Sequence, residues 1–263
     1  MLRNLKIISY FAIILFCFCG CGEEKKEAPT SVSDNEQSDT SHDSSNTLVV
    51  GTSADFPPFE FMKNSEIIGF DIDLIKAIAE KLNMKVEIKD MQFYALIPSL
   101  ENGDINVAIA GMAETEERAR KIDFSKPYYF NKFALLVKGE YDSNNPIKSG
   151  MKIGVQAGTV MHQWIKNYSV DVNVMTMDRN LELVENLKNQ RIDGILLDEI
   201  SAKDIMQNNP TEGLSIVSLN SVHDDGISIG VKNNSPLLDG INKALTELEE
   251  NGKLDELKKK WGL

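Results

Sequence analysis

From Leu48 onward the apolar residues alternate between two spacings. Leu48 to Thr52 is a short apolar run of strand length, and Asp71 to Asn83 places Leu74, Ile75, Ile78, Ala79 and Leu82 on one helical stripe. Met84 to Lys89 alternates like a strand. Tyr94 to Glu101 reads as a helix stopped by Asn102-Gly103, and Ile105 to Gly111 reads as a buried strand. That order, β-α-β-α-β, opens a doubly wound sheet. A turn-rich stretch from Gly139 to Gly150 interrupts it, and the order then begins again. Strands are expected at 151–158, 172–177 and 192–198, with helices at 160–167, 181–189 and 199–207. A strand over 226–232 and helical segments ending in Trp261, read as a packing anchor, close the chain. Two α/β units of similar plan argue for two lobes, although their sequences differ too much to be a repeat.

The N-terminus has a different pattern. An apolar run from Ile7 to Gly20 follows Arg3 and Lys6, and it is shorter than the roughly 20 residues that a membrane-spanning helix needs. It has the size and flanks of a signal-peptide core. Its end, Phe18-Cys19-Gly20-Cys21-Gly22, resembles a bacterial lipoprotein signal, in which cleavage leaves a lipidated cysteine at the new N-terminus. Residues 1–20 are then the signal and Cys21 the lipid-bearing residue. Cys17 and Cys19 leave with the signal, so one cysteine remains and no internal disulfide is possible. Residues 22–46, rich in Ser, Asp, Glu and Asn, cannot bury enough surface to offset their ordering entropy; 21–46 is expected to be a lipidated, flexible tether in which His42 is solvated.

With 42% hydrophobic residues the folded part can bury a sizeable core, and a net charge of −12 leaves no basic stripe for nucleic acid or anionic lipid. No Ser-His-Asp arrangement, metal-ligand cluster or nucleotide loop is apparent, and the three histidines are isolated. The reading is therefore of a chain without catalytic residues, metal or cofactor.

Ligands of open α/β sheets collect at the carboxyl ends of strands, where strand order reverses. The first strand is followed by Ser53-Ala54-Asp55-Phe56-Pro57-Pro58-Phe59-Glu60. The strand ending at Gly111 is followed by a helix start in which Thr115 suits the N-cap and Glu116 and Glu117 suit the first turn. Arg118 arrives in that same turn, where a cation is disfavoured. It either pairs with Glu114 on a solvated surface or holds an anion against the helix start. In the second unit Gln156-Ala157-Gly158-Thr159-Val160 is a glycine turn opening a helix, and Asp198 ends a strand. An aromatic, an arginine, exposed amides and one carboxylate complement a zwitterion. Each also has a plainer use: Phe56 and Phe93 as core aromatics, Asp198 as a helix cap, His162 and Trp164 as surface and packing residues.

"GTSADFPPFEF", "IGFDIDLIKAIAEKL", "LIPSLENGDINVAIAGMAETEERARKIDFSKPYY" and "IGVQAGT" occur in an order and spacing that resembles the bacterial amino-acid-binding proteins of ABC importers, over Thr47 to Leu263. The resemblance implies an α/β, periplasmic-binding-protein-like fold: two doubly wound lobes joined by a hinge, with a ligand cleft between them. It implies lobe 1 from 47–132 and 225–263, lobe 2 from 133–224, and hinge strands near Asn131 to Leu135 and Val222 to Ile227. By position, Phe56 and Phe93 match the aromatics on either side of the ligand, and Arg118 matches the arginine that clamps its α-carboxylate. Gly111 and Ala113 match backbone positions lining the site, Thr159 and Val160 the carboxylate-binding helix start, and Asp198 the acceptor of the α-ammonium. Ser53 stands where binders of cationic side chains, and the glutamine binder, tend to carry Asp, Ala113 where many members carry Ser or Thr, and Val160 where some carry a hydroxyl; the departures bear on which side chain is selected. Asp55 and Glu60 are nearby acids with no assigned direction. The implied function is a monomeric, extracytoplasmic lipoprotein that captures a free amino acid and delivers it to ABC permease subunits, with the membrane reached through the lipid and no nucleic acid involved. Alternatives on the same fold are an arogenate or prephenate dehydratase and a sensor without transport.

Overall fold

The computed structural model describes residues 46–139, 141–142, 144–208, 213–219 and 226–263. Cys21, the tether up to Ser45, and the hinge positions Val222 to Asp225 lie outside them.

The first sheet is built from β1 (Thr47–Thr52), β5 (Lys85–Asp90), β6 (Val107–Ala108), β7 (Ile122–Phe124) and β13 (Gly230–Lys232), in the order β5-β1-β6-β13-β7. The second holds β8 (Phe133–Lys138), β9 (Lys152–Gln156), β10 (Asn173–Met177), β11 (Gly194–Asp198) and β12 (Leu214–Ser218), in the order β10-β9-β11-β8-β12. Between β1 and β5 stand a three-stranded meander, β2 (Asp55–Phe56), β3 (Glu60–Lys63) and β4 (Glu66–Ile68), and helix α1 (Phe70–Lys81). Helices α2 (Leu96–Asn102) and α3 (Glu116–Ala119) follow. Next come α4 (Val160–Lys166), α5 (Asn180–Lys188) and α6 (Glu199–Asn208) around the second sheet, and α7 (Leu237–Glu250) and α8 (Lys253–Trp261) close the chain.

The two sheets share one plan. Each begins with three parallel strands in the spatial order second, first, third. The fourth strand, β13 or β8, runs antiparallel to both neighbours. Those two strands are where the chain enters a sheet after leaving the other: it crosses between Phe124 and Phe133 and returns between Ser218 and Gly230. Strand order therefore reverses between β1 and β6 in one sheet and between β9 and β11 in the other.

Burial explains which strands were legible. In β8, Phe133, Leu135 and Val137 pack into one cluster with Val155 and Met161, while Ala134 and Leu136 pack into another with Leu183 and Ile205. A strand covered on both faces has no polar alternation, and "FALLVK" shows none. Two expected strands are shorter than their apolar runs. β6 ends at Ala108, after which Ile109 N still bonds Gly51 O but Gly111 N donates to the Asp71 carboxylate, so a side chain replaces the ladder. β13 begins only at Gly230, because Ile227 first bridges to both Ala113 and Tyr129. Trp261 packs edge-on to Phe61 at 5.9 Å and donates Nε1–H to Asp73 at 2.7 Å, the anchoring role its position predicts.

Candidate functional site

Both reversal points open onto one cleft, with about 690 Å³ of atom-free space that includes part of the solvent at its mouth. Ser53, Phe56, Phe93, Gly111, Ala113, Arg118, Thr159, Val160 and Asp198 all line it. The first sheet supplies the first six and the second sheet the last three.

Arg118 is held by its own helix start. The Thr115 hydroxyl accepts from Arg118 N at 3.3 Å, and the side chain turns inward to 8% exposure, while Glu114 stays exposed. Arg118 is thus buried, not the solvated turn residue of the plainer reading. Nη1 donates to Ala113 O at 2.5 Å and Nη2 reaches across the cleft to Gly158 O at 2.9 Å; the guanidinium lies 5.3 Å from the centre of the Phe93 ring. The surface pairs of this helix are made instead by Arg120 with Glu116 and Lys121 with Glu117.

Gly111 has a positive φ of 57°, and a β-carbon there would stand 2.7 Å from the Phe56 ring. Only glycine lets the backbone lie against that aromatic. Phe56 is stacked on Phe59 at 5.3 Å. Thr159 caps α4, accepting from His162 N at 3.2 Å and donating its hydroxyl to Gln156 O at 2.8 Å; its amide also reaches Gln156 O, at 3.5 Å. Asp198 ends β11 beside Phe133, its partner in the ladder. Burial raises its carboxyl to about 8, offset only by a bond from its own amide.

The two unassigned acids separate. Glu60 lines the cleft, fully buried, with neither oxygen meeting a donor, and its carboxyl is pushed well above the usual range by burial and by Asp71. Asp55 stands outside the cleft lining. It accepts from Ser53 Oγ at 3.1 Å, from Gln156 Nε2 at 3.5 Å and from Asn180 N. Ser53 thus spends its hydroxyl on Asp55.

The structure adds Asn131, Phe133, Gln156 and Asn180 to the lining. Gln156 and Asn180 follow β9 and β10 and were open to the strand-end rule. Asn131 and Phe133 sit on the crossing between sheets, where no periodicity marks them. Asn131 Nδ2 is buried without an acceptor in the described structure.

A cleft with a buried arginine on one wall and buried carboxyls at two places is built for a small charged molecule. Residues 48–263 match the family described as bacterial extracellular solute-binding proteins, family 3. The arginine-binding extracellular protein ArtP of Bacillus subtilis (strain 168) is 35% identical over 218 residues, covering 81% of this chain and 85% of that one. A probable histidine-binding protein of Campylobacter jejuni is 36% identical over 227 residues, covering 82% and 85%. An ancestral arginine-binding protein solved with arginine bound has a TM-score of 0.77 and 42% identity, covering 82% of this chain and 98% of that one. The two-lobe fold is shared with such neighbours, and the chain belongs to the bacterial extracellular solute-binding proteins of family 3.

Proposed function

We propose that this protein captures a free L-amino acid with a cationic side chain, of the arginine type, between two lobes that close on it, and delivers it to an ABC importer. The observation that carries this reading is the charge inventory of the cleft. Arg118 suits the α-carboxylate, because its planar fork matches a carboxylate better than it matches carbonyls. Asp198 suits the α-ammonium. Glu60 is then the remaining acid, buried beside the aromatic Phe56 with neither oxygen meeting a donor, and a cationic side chain would supply both a donor and a counter-charge to its ionised form. The similarity to arginine- and histidine-binding proteins supports a basic ligand and favours capture over turnover. The lobes proposed from the sequence, 47–132 with 225–263 and 133–224, agree with the two crossings of the chain between the sheets. Hinge motion would be absorbed in those crossings. The signal at 1–20 and a lipid on Cys21 would hold the protein at the outer face of a bacterial membrane; Cys21→Ser should abolish metabolic palmitate labelling.

The deciding experiment is native mass spectrometry of freshly purified protein, followed by thermal-shift measurements with the free L-amino acids. A ligand that binds only the folded state raises the melting temperature by mass action. Arginine should give the largest shift. No shift with any amino acid, or consumption of arogenate or prephenate, would reject this reading.

A further inference from the structure

Glu60 and Asp71 are both fully buried, Asp71 N–H donates to Phe59 O at 2.9 Å right beside Glu60, and each carboxyl shifts the titration of the other. Asp71 accepts Gly111 N–H at 2.9 Å and the Tyr128 hydroxyl at 2.8 and 2.9 Å. Glu60 receives no donor. Those donors decide which carboxyl carries the negative charge, since an amide and a phenol stabilise Asp71 and nothing stabilises Glu60. Two neighbouring buried carboxyls do not both ionise without a counter-charge, and the proton falls to Glu60, the one without a donor. The other ionisable groups around the pair are Tyr128, hydrogen-bonded to Asp71, and two further acids, Asp55 and Asp198. Arg118 is the cation of the cleft, and its fork is engaged at Ala113 and Gly158.

We propose that the Glu60–Asp71 carboxyl pair is a proton-exchange site through which the protein reads the charge of its ligand's side chain: a cationic group enters beside Glu60 by taking the place of the proton that Glu60 holds. The inference rests on the amino-acid reading above. When the cation arrives, the O–H bond of Glu60 breaks and the proton passes to solvent. The pair goes from one negative charge to two, and the incoming guanidinium or ammonium compensates the second. A neutral side chain of the same shape leaves the proton in place. Asp71 keeps its bonds to Gly111 and Tyr128 in both cases. The loop that presents Gly111 and Ala113 is therefore undisturbed while the side-chain end changes charge.

Isothermal calorimetry with L-arginine and its neutral near-isostere L-citrulline tests this. The proton count is read from the dependence of binding heat on buffer ionisation enthalpy near pH 7, and citrulline is measured by displacement where binding is weak. Both ligands bring an ammonium to Asp198 and share any proton released there. Arginine should release about one proton more than citrulline. Glu60→Gln should lower the arginine count to that of citrulline in the native protein. Equal counts for the two ligands in the unmutated protein, or an arginine count unchanged in Glu60→Gln, overturn the proposal and leave amino-acid capture standing. Failure of every amino acid to bind overturns both.

Discussion

Two arginines reach across the cleft in opposite directions, and they do different work. Arg118 leaves α3, on the side of the first sheet, and donates to Gly158 O just beyond β9. Arg179 stands just ahead of α5, on the side of the second sheet, and grips Asp90 at the end of β5 with both nitrogens at 2.9 Å. Arg118 is 8% exposed and its fork meets neutral carbonyls. The Arg179 and Asp90 side chains are 25% and 33% exposed, and Asp90 also accepts Ala54 N–H. Arg179 therefore has a permanent carboxylate partner at the rim, where water already weakens the pair. Arg118 holds a carboxylate-shaped fork in the interior. The residue type is the same; burial and the acceptors set the two apart, and the binding role proposed above falls to the buried one.

The largest test of that contrast is truncation of the buried groups. Arg118→Ala should weaken the preferred amino acid by about 30-fold or more, because breaking a buried charged hydrogen bond costs about 2–5 kcal/mol. Arg118→Lys keeps the charge without the fork and should fall between the two. Asp198→Asn should lose a similar amount through the ammonium. Calorimetric titration decides, and unchanged affinity in Arg118→Ala would erase the distinction between the arginines.

Asp198 also predicts how stability changes with pH. Its carboxyl ordinarily titrates at 3.8 and is raised to about 8 in the fold. Between these values the native state keeps a proton that the unfolded chain has lost, so stability falls as pH rises through that window. Asp71, raised to about 6, adds the same sign over the lower half. Without ligand, Asp198→Asn should lose less stability than the native chain from pH 5 to pH 8 in denaturant titrations, while binding worse. An unchanged pH slope would show that Asp198 is ionised in the empty cleft.

At the rim the expected effect is smaller. Partly exposed ion pairs contribute about 0–1 kcal/mol, so Arg179→Ala should weaken binding by no more than about fivefold, mainly through faster release. Added salt should shrink the difference between Arg179→Ala and the native protein. A loss in Arg179→Ala as large as in Arg118→Ala would make the rim pair part of the binding site. Glu114→Ala, which alters only an exposed neighbour, should leave affinity unchanged within about 0.5 kcal/mol of binding free energy.

Several elements were legible because local physics fixes them. The stripe of Leu74, Ile75 and Ile78 buries as a helix face in α1, Thr115 caps its turn, and Gly158 opens α4. Periodicity did not show β8 or β12. The first lies under cover on both faces and was reached only through the resemblance, as a hinge strand near Asn131 to Leu135; the second pairs only with β8, so its place depends on a strand with no pattern of its own. Strand ends and the family resemblance together named nine residues that line one cleft, Phe93 through the resemblance alone, but as site residues neither named Asn131 and Phe133, which belong to the crossing between sheets.

By itself, then, the sequence determined where most of the helices and several strands lie, that two α/β units exist, and that an aromatic, an arginine and an acid follow the strands. Those properties depend on spacing and on neighbours a few residues away. Only the tertiary structure decided that Glu60 faces the cleft and Asp55 does not, that Ser53 and Thr159 spend their hydroxyls on the protein, and that Asp71 stands behind Glu60. Whether an acid is charged, shared or occupied depends on solvent access and on groups many residues distant, as the bond from Asn180 N to Asp55 illustrates. Folding fixes those quantities, and no local pattern encodes them.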